Sequence, residues 1–296
     1  MLGVVNLDKP VGPTSHDMVG LLRRLTGTRR IGHAGTLDPL ASGVLPILVG
    51  AATRFSEELT GGSKRYEAVV RLGARSATDD AEGPIEATGA LTPSREAVRE
   101  SLDAFIGTFE QRPPAFSARK AGGQKGYRAA RSGAPIDIPP RTVTVEAIDL
   151  LGVQPGPDGQ LDVAIDVRCG AGTYIRSIAR DVGDALGCGG YLASLRRTEA
   201  AGLRASDAIR PERLEELAAA GRLAEAVLPV GALLPLPRVD LDPESARAFR
   251  NGSARPIGGA AAGRVVVFGH QVLLGIGSVT DGVLKPDKVV PVDAAE

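Results

Sequence analysis

Two segments alternate apolar and polar residues with a period of two, and this pattern constrains the fold most. In "LDVAIDVRC" every second residue from Leu161 to Val167 is apolar. In "KRYEAVVRLG" Tyr66, Ala68, Val70 and Leu72 fall on one face. Successive side chains of a β-strand point to opposite faces of its sheet. Both segments are therefore predicted to be strands.

Helices are predicted where apolar residues recur with helical spacing. The helix after "KPVGP" begins at Thr14 or Ser15 as the N-cap and stops at Gly27. The clearest helix lies in "GAGTYIRSIARDVGDALG", with Thr173 as the predicted cap and Gly187 at its end. A third begins at Thr92 and Pro93, as N-cap and N1. The segments "ATRFSEEL" and "PERLEELAAAG" also favour helices, whereas "LGVVNLDKP", "TVTVEAIDLLGV" and "YLASLRRTEAAG" favour strands.

The chain has 296 residues, which suits one large domain plus a small one, or two medium ones. The Pro-rich segment at 229–240 is the predicted boundary. Beyond it, Asp242 and Pro243 start a short helix, and "RVVVFGHQVLLGIGSV" is typical of a hairpin that turns at Gly269-His270. The segment "KVVPV" could add a last strand. A small β-rich module is therefore expected at the C-terminal end.

Charge is distributed unevenly on a chain whose formal net charge is zero. Residues 110–142 carry seven basic and two acidic side chains, so 7 − 2 = +5. Residues 1–75 carry ten basic and six acidic side chains, so 10 − 6 = +4. Such stretches are usually solvated faces, but two of them make a polyanionic partner plausible. The Pro/Gly-rich part of the first stretch, 112–141, reads as a functional arm or a disordered loop.

Several classes of protein are disfavoured by what the sequence lacks. It has no apolar run long enough for a membrane helix and no signal peptide at its start. Cys169 and Cys188 form no CxxC pair, so we expect packing thiols in a reduced cytosolic chain. His16, His33 and His270 lack metal-ligand spacing, and no P-loop or GxGxxG opens a helix. Neither a metal nor a nucleotide cofactor is expected.

The segment "GHAGTLDPLASG" (32–43) contains a single carboxylate, Asp38, among small and apolar residues. Asp-Pro is a common turn pair, so residue type alone favours a turn. The functional alternative is a nucleophilic carboxylate that a cation holds ionised. Arg176 is expected in the first turn of a helix, where the helix dipole disfavours a cation. Its position therefore suggests a partner anion, and Asp38 is a candidate.

The remaining candidate residues each have a structural interpretation that the sequence leaves open. His33 could bond the backbone in a loop, or could lie flat and stack on a base. Tyr66 and Leu195 are most simply packed strand residues, and Lys9 a solvated lysine before a turn. Asp79, Asp80 and Glu82 could supply a second acid, but they occupy a polar loop with no clear link to Asp38.

Six blocks, in order, resemble the bacterial tRNA pseudouridine-55 synthases of the TruB family. They are "NLDKPVGPTSHDMV", "GHAGTLDPLASGVLPI", "KRYEAVVRLG" with "TDDAEG", "RPPAFSARKAGGQKGYRAAR", "RCGAGTYIRSIARDVGDALG" and "YLASLRRTEAAG". Together they run over nearly the whole chain. The resemblance implies an α+β fold, a mixed and mainly antiparallel sheet flanked by helices, over residues 1–235. It also implies a small β-rich C-terminal domain, PUA-like or family-specific, over 236–296.

The resemblance further implies an isomerase that converts uridine 55 in the tRNA T-loop to pseudouridine. The base is flipped out, cut from C1′, turned and rejoined through C5, without metal or cofactor. Such an enzyme is expected to be a cytoplasmic monomer that acts on the T-arm, with no membrane and no required protein partner.

Each site residue is carried over from a matching position. Asp38 matches the single catalytic aspartate and Arg176 the arginine that pairs with it. Tyr66 matches the tyrosine that stacks on the base and is a candidate to assist removal of the C5 proton. His33 matches the histidine that enters the T-loop. The other positions are substrate-binding: Tyr174 and Leu195, which line the base pocket, and Lys9. The arm at 112–141 matches a segment that closes on the RNA.

Two other functions compete with this hypothesis. A tRNA-folding chaperone would bind the T-arm without catalysis and would not need the set of Asp38, Tyr66, Tyr174 and Arg176. A guide-RNA-dependent pseudouridine synthase would work inside a larger complex through additional accessory-protein surfaces.

Overall fold

The chain folds around two β-sheets, the first of which is large and mixed. The computed structural model describes residues 1–89, 93–116, 120–121, 124–125, 138–259 and 261–291. Within these ranges no helix is both long and apolar enough to cross a membrane.

The helices and strands follow one another as the sequence patterns predict for most segments. The α-helices are α1 (Ser15–Thr26), α2 (Ser56–Thr60), α3 (Arg95–Asp103), α4 (Ile175–Ala185), α5 (Pro211–Ala219) and α6 (Pro243–Arg250). The strands up to Lys125 are β1 (Gly3–Lys9), β2 (Ile31–His33), β3 (Ala41–Val49), β4 (Lys64–Leu72), β5 (Ala74–Ser76), β6 (Ile85–Ala87), β7 (Gly107–Gln111), β8 (Lys120–Ala121) and β9 (Gln124–Lys125). The later strands are β10 (Arg141–Pro155), β11 (Leu161–Cys169), β12 (Gly190–Ala200), β13 (Leu203–Arg204), β14 (Arg238–Leu241), β15 (Arg255–Pro256), β16 (Gly263–Gly269), β17 (Val272–Thr280) and β18 (Val283–Val289).

The large sheet has the strand order β1-β3-β12-β4-β11-β10-β7, with β2 added on β3 and β13 on β12. All of its pairs are antiparallel except β12 with β3, where Leu195 lies beside Ala41. This is the mixed, mainly antiparallel sheet that the resemblance implies.

The alternation of apolar and polar residues predicted for β4 and β11 is confirmed, and the apolar face of each strand is buried. Tyr66, Ala68, Val70 and Leu72 of β4 are buried in the main core, as are the odd-numbered residues of β11. The apolar residues of α1 and α4 belong to the same core. Cys169 and Cys188 are free thiols within it, which confirms the prediction that they are packing groups.

The small sheet has the order β14-β16-β17-β18-β15. Its apolar residues Phe268 and Ile276 share a core with Phe55 and Leu48 of the large unit. Glu58 of α2, whose side chain is 4% exposed, pairs with Arg264 at 2.7 Å and Lys288 at 3.0 Å. A β-rich C-terminal module is thus present, while the domain boundary at 235/236 stays a prediction.

Some predicted details are confirmed and others are wrong. Thr14 is the N-cap of α1, in a capping box with Asp17. Thr173 is not the cap of α4: Tyr174 occupies that position, and the Thr173 hydroxyl donates instead to the carbonyl of Gly170. The C-terminal hairpin turns at His270-Gln271, one residue later than predicted, and both have positive φ.

Two further segments differ from prediction or lie outside the described residues. Helix α3 begins at Arg95 with Ser94 as its N-cap, so Pro93 is not N1, and Thr92 lies outside the described residues. The segment "ATRFSEEL" forms a 3₁₀ turn (Gly50–Phe55) followed by α2. Most of the proposed arm at 112–141, including a helix predicted near Tyr127, also lies outside what the structure describes.

Gly43 lies where β3 and β12 approach too closely for a side chain. Its φ is +98°, and a Cβ there would overlap the backbone of Arg197 on β12. We expect Gly43→Ala to lower the free energy of unfolding by about 3–5 kcal/mol, since backbone strain and overpacking add. Gly107, with φ +113° and nothing within 4 Å, is the matched control. Gly107→Ala should cost only the strain, roughly 1–3 kcal/mol, in urea unfolding. Equal losses for the two variants would contradict the account of Gly43.

Candidate active site

The loop before β3, the start of β4 and the N-terminus of α4 surround a cavity of about 240 Å³. Five of the seven predicted site residues line it: Asp38, Tyr66, Tyr174, Arg176 and Leu195. The rest of the lining comes from Gly35, Thr36, Leu37, Thr60, Lys64, Gly172, Thr173, Ile175 and Arg197. His33 and Lys9 are not part of the lining. Sequence positions up to 197 − 35 = 162 residues apart therefore converge on one pocket.

Arg176 lies between two carboxylates. Its Nη2 is 3.0 Å from Oδ2 of Asp38, and its Nη1 is 3.2 Å from Oδ2 of Asp80. The Arg176 and Asp80 side chains are 5% and 2% exposed, whereas that of Asp38 is 40% exposed. The guanidinium also donates to the carbonyls of Thr78 and Phe116. Asp80 therefore anchors the guanidinium from behind, and Asp38 is the carboxylate that remains open to solvent.

Asp80 was not identified from the sequence as a partner of this site. Its loop reads as polar, but the carboxylate is buried and also accepts from the Thr78 hydroxyl and from the backbone N–H of Glu82. Neighbouring Asp79 pairs with Arg180 of α4 at 2.8 Å. The Arg at a helix start was a usable signal, because the helix dipole disfavours a cation there unless nearby anions compensate its charge.

The loop that carries Asp38 is held by side chains on both sides of it. The Ser15 hydroxyl accepts from the Leu37 N–H at 2.8 Å and donates to the Leu37 carbonyl at 2.9 Å. The Arg197 guanidinium donates to the carbonyls of Gly35 at 2.9 Å and Val44 at 2.7 Å. Both residues are buried. Backbone atoms before and after Asp38 are thus fixed, so its carboxylate is presented from a rigid support.

Lys9 is not the solvated lysine that the sequence suggests. Its side chain is buried, and Nζ donates to the carbonyls of Pro10, Pro13 and Pro39. Burial lowers the pKa of Lys9 to about 8. Because the ammonium is directed at backbone carbonyls beneath the Asp38–Pro39 turn, the structure places Lys9 as a support of the loop and not on the pocket wall.

Tyr174 is fixed by a residue that the sequence did not identify. The Gln111 amide, buried at the end of β7, accepts from the Tyr174 N–H at 2.8 Å and donates to the Tyr174 carbonyl at 3.1 Å. This explains why α4 begins without a side-chain cap: the amide of Gln111 bonds the backbone of the N-cap residue instead.

Two ring side chains have properties set by burial. Burial raises the pKa of Tyr66, so its hydroxyl is protonated at neutral pH. Burial lowers the pKa of His33 on β2, so its imidazole is neutral. Its Nδ1 is buried and has no hydrogen-bond partner among the described residues. Within the same residues, no three His, Cys, Asp or Glu side chains come together as metal ligands would.

Ser15 offers a direct test of how firmly the loop is held. Ser15→Ala leaves the buried N–H and carbonyl of Leu37 unpaired, and we expect a loss of about 2–4 kcal/mol in urea unfolding. Amide hydrogen exchange at Leu37 should accelerate as well. Ser206→Ala, which removes an exposed hydroxyl, is the control and should change stability by less than about 0.5 kcal/mol. An unchanged Leu37 exchange rate would show that the hydroxyl does not fix the loop.

Family models match three consecutive parts of the chain. Residues 23–175 match the TruB family pseudouridylate synthase (N terminal domain). Residues 176–235 match the tRNA pseudouridylate synthase B C-terminal domain, and 237–290 match Pseudouridine synthase II TruB, C-terminal.

Curated relatives are similar over almost their full length. The tRNA pseudouridine synthase B of Acaryochloris marina is 43% identical over 98% of this chain and 99% of its own. The protein of the same name from Dechloromonas aromatica is 42% identical over 97% and 95%. That of Trichormus variabilis is 44% identical over 98% of each chain.

Solved structures show the same fold. A chain from a Cbf5-Nop10-Gar1 complex aligns with a TM-score of 0.74 and 27% identity, covering 99% of this chain and 86% of its own. A chain from the archaeal box H/ACA sRNP Nop10-Cbf5 complex aligns with a TM-score of 0.73 and 25% identity, covering 99% and 88%. The architecture is therefore the α+β pseudouridine synthase fold with a β-rich, PUA-like C-terminal module. By its sequence matches and its fold, this chain belongs to the TruB family of pseudouridylate synthases.

Proposed function

We propose that this isomerase converts uridine 55 in the T-loop of tRNA to pseudouridine, with Asp38 as the one catalytic carboxylate. The observation that carries the proposal is the 3.0 Å pair between Asp38 and Arg176 at the wall of the pocket. The names of the full-length relatives support tRNA as the substrate.

The proposed reaction begins with extrusion of the target base from the T-loop. Flipping costs roughly a few kcal/mol, which contacts between the RNA and the protein must offset. The flipped uracil enters the pocket beside Tyr66 and Leu195, which offer an aromatic face and an apolar side chain. His33 takes the space that the flipped bases leave. Because its ring is neutral, it can enter a stack of bases without bringing a buried charge.

One carboxylate is enough because the reaction is an internal rearrangement. The N1–C1′ bond breaks, the base turns, a C5–C1′ bond forms, the proton on C5 is lost and N1 gains a proton. Asp38 acts either as a nucleophile that attacks C1′ or as a base that accepts a proton from the sugar. In both cases its carboxylate must be ionised. Arg176 supplies the adjacent positive charge, and Asp80 keeps the guanidinium in place.

Tyr66 fits the role of stacking on the base better than that of a base catalyst. Its pKa is raised by burial, so the phenolate that would take a proton from C5 is scarce at neutral pH. We therefore assign Tyr66 to stacking, with its hydroxyl as a hydrogen-bond donor. Tyr174, whose backbone is bonded by Gln111, completes the base pocket.

Cationic side chains near His33 support the binding of RNA. Arg23 donates to the carbonyl of Ile31 on β2, and Arg30 donates to the Thr53 hydroxyl. Arg24 and Arg29 are exposed close by in sequence. Within the described residues none of these four arginines forms an ion pair, so their charges are available to phosphates. The basic arm at 112–141 is proposed to grip the RNA as well.

A guide-RNA-dependent pseudouridine synthase is the second candidate, because one of the aligned chains comes from an archaeal box H/ACA sRNP complex. The 42–44% identity to proteins named tRNA pseudouridine synthase B favours the first candidate. We further propose that the enzyme works alone, as a monomer. Conversion of a bare T-arm stem-loop by the isolated protein separates the two. A requirement for guide RNA or accessory proteins would support the second candidate.

Asp38→Asn tests the proposed chemistry and the chaperone alternative together. We expect it to abolish tritium release from RNA labelled at C5 of uridine, since an amide cannot replace the carboxylate. The dissociation constant for the RNA should stay within about threefold, because contacts between basic side chains and phosphates supply most of the affinity. Asp207→Asn, an exposed acid, is the control and should retain full activity. Conversion that survives Asp38→Asn would contradict the assignment.

Arg29 and Arg30 test the RNA-binding surface. Replacing both with Gln should weaken binding of the T-arm stem-loop and reduce the slope of log K against log salt by about 1 to 2, because each phosphate contact contributes roughly 0.7–0.9. Arg213→Gln is the control, since Arg213 is paired with Glu216 on α5 at 2.6 Å. A salt dependence equal to that of the wild type would show that phosphates do not reach this surface.

A further inference from the structure

Two buried cations line the pocket without a carboxylate partner. Lys64 of β4 is 8% exposed and Arg197 of β12 is 1% exposed. Both belong to the wall of the cavity. Arg176, the third cation of the wall, pairs with Asp38 and Asp80, but neither Lys64 nor Arg197 forms an ion pair within the described ranges. Among the described residues that line the cavity, three side chains are thus cationic and one, Asp38, is acidic.

The simplest interpretation is that both cations are structural. Lys64 Nζ donates to the carbonyls of Thr60 and Gly62 at the end of α2, both at 2.8 Å. Arg197 braces the loop that carries Asp38. These bonds satisfy the donors, as the three carbonyls around Lys9 do, but unlike Lys9 both of these cations line the cavity. A neutral donor would cap the helix equally well, at a lower desolvation cost.

The two charges also oppose each other. Burial and the nearby Arg197 both lower the pKa of Lys64, to about 8. Cys169, the other titratable group that acts on Lys64, stays a neutral thiol because burial raises its pKa to about 11. Two like charges kept in one buried wall are typical of a site whose ligand brings negative charge.

We propose that Lys64 and Arg197 stabilise the uracil as an anion after it is detached from the ribose. This inference rests on the proposed function, and it assigns a catalytic role to the two lining cations that do not pair with Asp38. The reaction needs such a site because the detached base is the one species in it that gains a negative charge.

The electron count of the step supports this assignment. When N1–C1′ breaks, its electron pair stays on N1 and delocalises onto the O2 and O4 carbonyl oxygens. Asp38 compensates C1′, by bonding to it or by taking the C2′ proton. The anion turns, and C5 donates the pair to C1′ as the Asp38–C1′ bond breaks or as Asp38 returns its proton to C2′. The C5 proton is then lost to solvent while N1 takes up a proton, so atoms and electrons balance. Preorganised cations next to the carbonyl oxygens favour the anion over the bound uridine, which is the differential binding that accelerates a reaction.

Lys64→Gln separates charge from capping, because the Gln amide can still donate to the Thr60 and Gly62 carbonyls. At saturating T-arm stem-loop we expect the single-turnover rate to fall about 100- to 1,000-fold, the scale of removing one electrostatic donor. The RNA dissociation constant should change by less than about threefold. Lys64→Arg should restore most of the rate. Arg65→Met is the matched control, since Arg65 is the next residue on β4 and pairs with Asp166 away from the pocket.

A Gln variant that turns over at the wild-type rate would overturn the proposal, whatever its thermal stability. A wild-type enzyme that converts no uridine in this RNA would instead overturn the proposed function, and the two results are distinct.

A second measurement uses the wild-type protein, so it does not depend on how a variant folds. Barbiturate has a ring like that of uracil but is an anion at neutral pH. It should inhibit conversion at least about 10-fold more strongly than neutral uracil. Equal inhibition by the two compounds would contradict an anion-stabilising wall.

Discussion

The structure of the pocket depends on one buried guanidinium. Arg176 projects from the start of α4 and joins Asp38, Asp80 and the carbonyls of Thr78 and Phe116. Four separate parts of the chain therefore meet at one side chain. A buried cation is tolerated only where its donors and its charge are compensated, so these parts are held together by the cost of separating them. The exposed carboxylate of the set is the one that we propose reacts.

The supports around this guanidinium explain how a loop can carry a functional carboxylate. Ser15, Lys9 and Arg197 bond backbone atoms on either side of Asp38. Gln111 does the same for Tyr174. All four side chains are buried and are directed at the backbone, so the loop conformation is fixed by the core. Such preorganisation is what positions reacting groups without a large entropic cost at the moment of reaction.

The sequence predicts the helices and strands better than the buried side chains that hold the Asp38 loop and Tyr174 in place. Period-two alternation identified β4 and β11, and the capping residue Thr14 located α1, because both signals are local. Thr173 failed as a cap because Gln111, 63 positions away from Tyr174, bonds that residue's backbone. Local composition predicts that Asp80 is a polar loop residue and that Lys9 is solvated, because it carries no information about burial by distant segments. The pocket residues themselves were identified from the family resemblance, and the pairing of Arg176 with Asp38 also from the unfavourable position of a cation at the start of a helix.

The measurement that tests the central claim most directly is the single-turnover rate of an Arg176→Met variant on a saturating T-arm stem-loop. If the guanidinium holds Asp38 ready to react, the rate should fall about 100- to 1,000-fold. The RNA dissociation constant should change by less than about threefold, because Arg176 is buried behind Asp38 and reaches little of the RNA. A variant that converts uridine at the wild-type rate would contradict the claim, since Asp38 would then act without its partner.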